Sequence, residues 1–386
     1  MSLPGVQESV AGERQMKAGA VFPGKRKIEV VALDEPRISS PTEVKLRMLE
    51  VGVCGTDREI ASFHHGTPPE GFEFLVLGHE ALGEVVETGP AVRRLQPGDL
   101  VVPMVRRPCP HAECAACRAG RQDFCYTDDF RERGIKEQHG FMTGFVVDDE
   151  TFLNAVPREL RAVAVLVEPL TIAEKALIQI QAIQQRLPWG DSTSPGKPGC
   201  RQRAVVLGAG PVGLLGAMAL VNAGFETYVY SRESIPNPRA ELAQAFGARY
   251  FCSETHDVKQ LASEVGNLDV VYEAAGATQT AFDLLQVLGT DAVYCFTGVP
   301  RHGEPISIDT HALLYHLVLK NQVILGTVNA GKDAFEAAIR DLRVFYQRWP
   351  EAVRALITGR YPIEEFREPV FDRSGIKNII VLDGRT

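Results

Sequence analysis

Four cysteines, Cys109, Cys114, Cys117 and Cys125, fall within 17 residues of a polar loop that also carries Pro and Gly. Thiolates at such spacing suit Zn²⁺, which takes four ligands in a tetrahedron, and a short loop can bring four sulfurs to one point without a preformed core. A closed site of this kind does no chemistry. Its company gives it meaning: Cys54 and the pair His79-Glu80 lie upstream, Glu168 lies downstream, and a glycine-rich run stands at 208–213. Two metals and a dinucleotide would belong to one enzyme.

The run Gly208-Ala209-Gly210-Pro211-Val212-Gly213 follows an apolar strand and opens an apolar helix. In that context the first glycine permits a tight turn, the second admits a pyrophosphate close to the backbone, and the third lets helix and strand pack closely. The phosphate would sit at the helix amino end, where unpaired amides and the dipole favour an anion. A ligandless glycine-rich turn is the plainer alternative. At the end of the second strand the chain reads Tyr230-Ser231-Arg232-Glu233. The acid that NAD-specific domains use on the ribose 2′-hydroxyl is replaced by Ser231, and Arg232 beside it can pair with a 2′-phosphate. NADP is the expected cofactor, with NAD possible if Glu233 serves the ribose and Arg232 is a solvated charge.

Cys54 stands in Gly52-Val53-Cys54-Gly55-Thr56-Asp57, and His79-Glu80 stands in the glycine-flanked Gly78-His79-Glu80-Ala81-Leu82-Gly83. Alone, such a cysteine reads as a small buried hydrophobe and such a histidine as a hydrogen-bonded core residue. Together they read as ligands.

These groups need elements to hold them. At 386 residues the chain exceeds what one hydrophobic core usually supports, so two domains are expected. Residues 16–158 show short β-type segments, Glu43–Val51, Leu82–Thr88 and Leu100–Val105, cut by Gly and Pro. A helical pattern follows at Glu168–Arg186, then a Pro- and Gly-rich candidate linker, Pro188–Gly199. From Arg203 strand and helix alternate: Ala204–Leu207, a helix to Ala223, Thr227–Tyr230, helix Pro238–Phe246, Asp269–Tyr272, Ala292–Phe296 and Val323–Leu325. That alternation predicts an α/β, doubly wound parallel sheet. A helical run, Ala334–Gln347, and a closing strand, Asn378–Leu382, complete the chain.

Composition sets outer bounds. With 45% apolar and 23% charged residues the chain reads as an ordinary globular protein, and a net charge of −8 gives no electrostatic reason to bind nucleic acid. Met1–Gln15 lacks the basic-then-apolar pattern of a secretory signal, and the apolar stretch Pro211–Ala223 is too short to span a bilayer. A cytoplasmic location, no membrane partner and reduced cysteines are expected.

Cys54-Gly55-Thr56-Asp57, Gly78-His79-Glu80 followed by Gly83 and Gly89, Gly98-Asp99, the cysteine lobe and the glycine run together resemble the zinc-dependent medium-chain dehydrogenase (alcohol dehydrogenase) family from Met16 onward. Arg106-Arg107-Pro108-Cys109, Gly120-Arg121-Gln122-Asp123-Phe124-Cys125, Gly134-Ile135, Glu168-Pro169-Leu170 and Gly326-Thr327-Val328-Asn329 resemble its glucose 1-dehydrogenase branch. The resemblance implies a β-rich GroES-like catalytic domain at 16–198 with its zinc lobe at 106–126, a Rossmann domain at 200–326, and a return to the catalytic domain at 327–386. It implies a catalytic zinc on Cys54, His79 and either Glu80 or Glu168, and a structural zinc on the lobe. The family's usual first interval is shorter than the one here, and His111 stands where the first ligand would fall, so Cys₄ and His-Cys₃ sets are both reasonable.

Zinc would acidify a bound hydroxyl, and Thr56, two residues after Cys54, could accept the proton or cap the following helix. Asn329 is expected among the cofactor contacts. Glu132 and Glu168, with Asp129 and His139 nearby in sequence, are expected to face the substrate, although Val105 and Ile172 offer apolar walls. The implied activity is oxidation of a glucose-like aldose at C1 to the lactone with hydride transfer to NAD(P), by a dimer or tetramer of the chain. A polyol or secondary-alcohol dehydrogenase of the same family, or a zinc-free quinone reductase-like protein, are the alternatives. Cys200, Cys252 and Cys295 read as structural, and His64-His65 as solvated loop residues.

Overall fold

The computed structural model describes residues 15–188, 202–300 and 304–383. Most of the expected linker Pro188–Gly199, Cys200, and all of the amino-terminal stretch but Gln15 lie outside the described residues.

Six parallel strands form one sheet in the order Arg249–Cys252, Glu226–Ser231, Arg203–Leu207, Val270–Glu273, Val293–Phe296, Val323–Gly326. The order reverses beside Arg203–Leu207, the first of these strands in the chain, so the crevice for a ligand opens at its carboxyl end. The glycine run fills that spot. Gly208 takes φ +104°, and a Cβ on Gly213 would meet the Gly208 carbonyl oxygen at 2.1 Å, so the turn and the helix that follows close only with glycines there. The helix, Pro211–Asn222, starts with Pro at its first position, where the missing N–H costs nothing.

A second, mostly antiparallel sheet carries the ligand loops. Its strands run in the order Leu153–Val156, Leu100–Pro103, Glu80–Thr88, Glu43–Gly52, Lys377–Val381, Ile357–Pro362, with Phe145–Asp149 also on Glu43–Gly52. The carboxy-terminal strand therefore pairs with the strand that leads to Cys54, through Ile379 to Gly52 and Ile380 to Val51. Three short strands, Arg106–Arg107, Arg131–Arg133 and Glu137–Gln138, form a small sheet beside the cysteine lobe.

The helix Val167–Gln184 joins the two halves. Pro169 is tolerated in its first turn, and Glu168 there faces the positive end of the dipole. It packs on Pro211–Asn222 and on Lys332–Arg348, whose Phe335 and Phe345 are fully buried, each worth about 2–3 kcal/mol of apolar transfer.

The expected strand Leu100–Val105 ends at Pro103, because the chain turns there to begin the small sheet at Arg106. Several strands had no clear sequence signal, among them two in the larger sheets. Arg249–Cys252 is a short mixture of polar and apolar residues, and Ile357–Pro362 carries Gly, Arg and Pro on a sheet edge, where pairing on one side suffices.

Candidate active site

Two groups of metal-ligand side chains gather among the described residues: Cys109, Cys114, Cys117 and Cys125 in one, and Cys54, His79 and Glu80 in the other, each with its ligand atoms within 4.8 Å of one another. In the lobe the Sγ atoms of Cys109 and Cys117 are 3.6 Å apart and those of Cys114 and Cys125 3.9 Å, and all the described cysteines are free. Burial pushes the Cys117 thiol up to about 12, whereas at Cys125 hydrogen bonds from Thr127 outweigh burial and bring it down to about 6. Four sulfurs gathered this closely suit a shared cation. His111 turns away to Asp129, with Nε2 2.8 Å from Oδ2, so the cluster is all sulfur.

The second group is built on a helix start. Cys54 is the N-cap of the helix Gly55–Ala61, and the Asp57 carboxylate reaches back to accept from the Cys54 amide at 2.8 Å. The cap therefore belongs to Cys54 and Asp57, and Thr56, expected as a possible cap, sits inside the first turn with Oγ1 3.9 Å from Cys54 Sγ. Asp57, fully buried, also accepts from the Gly78 amide at 3.2 Å and lies 3.6 Å from His79 Nδ1. One carboxylate thus ties the Cys54 loop to the His79 turn. Burial opposes charge on the His79 ring, but Asp57 and Cys54 outweigh it and hold the imidazole well above its ordinary pKa.

Glu80 is paired with Lys377 of the carboxy-terminal strand, and Glu168 stands outside the tight group. Burial pushes the Glu168 carboxyl up to about 7, although His79 pulls the other way. A thiol, an imidazole and a carboxylate with ligand atoms within 4.8 Å of one another form a sulfur, nitrogen and oxygen donor set that fits zinc.

Cys54 and Glu80 open onto a cavity of about 660 Å³ that Gly208, Ala209, Gly210, Pro211, Val212, Ser231 and Arg232 also line. A Cβ on Gly210 would meet nothing within 4 Å, so the loop leaves room for a diphosphate at the helix start. Glu233, the alternative ribose partner, instead meets Arg239 at 2.9 Å, and Arg239 and Arg373 line the same cavity. The cavity lining is therefore rich in guanidinium, which suits a phosphate.

Glu132 lies on the small sheet, where Arg106 Nε donates to its Oε1 at 3.0 Å. Asn329, expected among the cofactor contacts, donates Nδ2 to the same oxygen at 2.8 Å. Asp129 and His139, expected near the substrate, have protein partners of their own. Asp129 holds His111, and the His139 ring stacks on Phe74 while its Nδ1 accepts from the Val76 amide. Val105 is buried in the core. Cys252 and Cys295 are likewise buried, and His64-His65 lie on an exposed loop.

Sequence reasoning missed the roles of Asp57 and Lys377. The signal for Asp57 was its place three residues after a helix cap. For Lys377 it was a single cation leading the apolar strand Asn378-Ile379-Ile380-Val381.

Residues 40–158 match the family described as alcohol dehydrogenase GroES-like domain, and residues 161–382 match glucose dehydrogenase C-terminus. The glucose 1-dehydrogenase of Methanocella arvoryzae is 38% identical over 95% of this chain and 99% of its own, and that of Thermoproteus tenax 36% identical over the same shares. The solved structure of Haloferax mediterranei glucose dehydrogenase in complex with NADP, Zn and gluconolactone is 34% identical, with a TM-score of 0.83 over 95% of this chain and 99% of that one.

Proposed function

The chain belongs to the zinc-dependent medium-chain alcohol dehydrogenase family, in its glucose 1-dehydrogenase branch, and from that premise we propose that it oxidises an aldose at C1 to the lactone and passes the hydride to NADP. The observation that carries the proposal is the single cavity onto which Cys54, Glu80, the 208–212 loop and Arg232 all open. Hydroxyl activation and hydride acceptance can then occur side by side.

In this reading Cys54, His79 and one of Glu80 and Glu168 hold a catalytic zinc, and the four lobe cysteines hold a structural one. Bound there, zinc supplies Lewis acidity toward a hydroxyl, and NADP supplies the hydride acceptor. The chain does the rest. Thr56 Oγ1 accepts the C1 hydroxyl proton and begins its passage to solvent. Amides around Gly210 hold the diphosphate, and Ser231 and Arg232 hold the 2′-phosphate. Glu132 accepts from the sugar's other hydroxyls through Oε2, because the bonds from Arg106 and Asn329 both end on Oε1. Glu168 adds a second carboxylate toward the sugar when Glu80 completes the metal site.

Residues 16–198 and 327–386 act in this account as the catalytic domain and 200–326 as the coenzyme domain. Assembly into a homo-oligomer is part of the same reading. Leu314, Tyr315, Val318 and Leu319 are exposed on the helix Thr310–Leu319, beside the edge strand Val323–Gly326, and a second copy can cover both at once. Among the described residues no helix is long and apolar enough to cross a membrane. A cytoplasmic location completes the reading, supported by free thiols throughout the described chain. Identification of the product tests the proposal: lactone from an aldose upholds it, and a ketone from a polyol with no aldose turnover overturns it.

A further inference from the structure

Asp123 sits in the cysteine lobe two residues before Cys125, and its side chain is fully buried against Lys175 of the helix Val167–Gln184. Lys175 Nζ lies 2.9 Å from Asp123 Oδ2 and also donates to the Val328 carbonyl at 2.9 Å. Its ammonium stands 4.1 Å over the Phe124 ring. Arg121 grips the same carboxylate at 2.9 and 3.0 Å.

A lysine this deep is costly to bury. Its partners offset the cost: the Asp123 carboxylate and the Val328 carbonyl take the ammonium, and Arg121 braces the same carboxylate. What the ion pair holds explains its place. Val328 precedes Asn329, whose backbone is left-handed at φ +60° and whose amide fixes Glu132 Oε1. The other donor to that oxygen, Arg106, also reaches the Asp123 carbonyl, at 3.4 Å. Both groups that fix Glu132 are thereby tied to the Asp123–Lys175 pair.

We propose that Asp123 and Lys175 are positioning residues through which the metal-binding lobe sets the orientation of the sugar-holding carboxylate Glu132. Cys125 and its three partners would hold the lobe's ion and so fix the chain before Cys125, Asp123 fixes Lys175, and Lys175 holds the Val328–Asn329 turn. The inference rests on the aldose reading of Glu132 given above. Without the link, Asn329 can leave its strained turn and Glu132 can rotate, so binding of the sugar suffers more than the hydride step.

The test compares Lys175→Met, Asp123→Asn and Lys175→Arg with the wild type, all zinc-loaded, and measures KM and kcat for the preferred aldose together with zinc content. The expected result is a KM about tenfold higher in Lys175→Met and in Asp123→Asn, the loss of roughly one charged hydrogen bond, with kcat within about twofold and two zinc ions retained. Lys175→Arg, which keeps the charge, should recover much of the loss. Combining Asp123→Asn with Glu132→Gln should add little to Glu132→Gln alone, since the link acts only through that carboxylate. Additive effects in this cycle, or an unchanged KM in Asp123→Asn, would overturn the link. If Lys175→Met does not fold, Asp123→Asn and the cycle decide. A wild type that turns over a polyol but no aldose removes the reading beneath the link, and is seen before any variant is made.

Discussion

Lys377 Nζ lies 2.5 Å from Glu80 Oε2 and 2.8 Å from Oε1, and each residue is only 1% exposed. The same ammonium donates to the Val53 carbonyl at 3.0 Å, directly before Cys54. A cation from the end of the chain thus braces the loop that carries one ligand and the carboxylate that offers another. Burial opposes the Lys377 charge, but Glu80 and Cys54 more than offset it and raise its pKa. Lys377→Met leaves Glu80 buried without its cation and should cost on the order of 3–5 kcal/mol. The check is the urea midpoint of the metal-free protein, and a midpoint equal to wild type would contradict the brace.

The two ligand groups are separate, which makes the metals countable. Purified protein should contain about two zinc ions per chain, Cys54→Ser should lose one, and Cys117→Ser should lose the other together with thermal stability. Elemental analysis of the three proteins decides. A Cys54→Ser variant that keeps both ions would remove Cys54 from the ligand set.

Arg232 lines the cavity next to Ser231, with Glu233 held by Arg239. Arg232→Ala should therefore weaken NADP binding by about 1–3 kcal/mol and leave NAD binding nearly unchanged. Titration calorimetry with both cofactors measures the difference. Equal losses would show that Arg232 does not read the 2′-phosphate.

Glu174 is buried in the helix Val167–Gln184 with Oε1 unpartnered among the described residues, and burial, reinforced by Asp341, pushes its carboxyl up to about 8. The folded chain then keeps a proton that the unfolded chain releases near pH 4.5, so stability falls as pH rises from about 4.5 to about 8 and levels off beyond. Glu174→Gln removes that penalty. Its gain over wild type should be near zero at pH 4.5 and on the order of 2–4 kcal/mol at pH 8. Denaturant midpoints of both proteins across this range test it, and a gain independent of pH would contradict the assigned protonation.

Much of this architecture was legible in the sequence because it rests on local patterns. The parallel sheet follows from strand and helix alternating after Arg203, and the glycine run announces its own turn, since Gly208 and Gly213 occupy positions that no side chain fits. The cysteine lobe is legible for the same reason, as its ligands lie close in sequence. What escaped depends on contacts across long separations. Lys377 meets Glu80 across 297 positions, and Asn329 meets Glu132 across 197, so neither contact was visible in the chain. Asp129 and His139 flank Glu132 in the chain, and their contacts with His111 and Phe74 likewise join residues distant in sequence.

The central claim is that the Cys54 site and the 208–213 loop serve oxidation at C1 of an aldose. The most direct measurement incubates the zinc-loaded protein with NADP, glucose and other aldoses, and separately with polyols and secondary alcohols, and identifies the products by NMR. The account predicts NADPH and a lactone in equal amounts from at least one aldose, at higher kcat/KM than from any polyol. NADPH formation with a polyol or secondary alcohol, and none with any aldose, would contradict it.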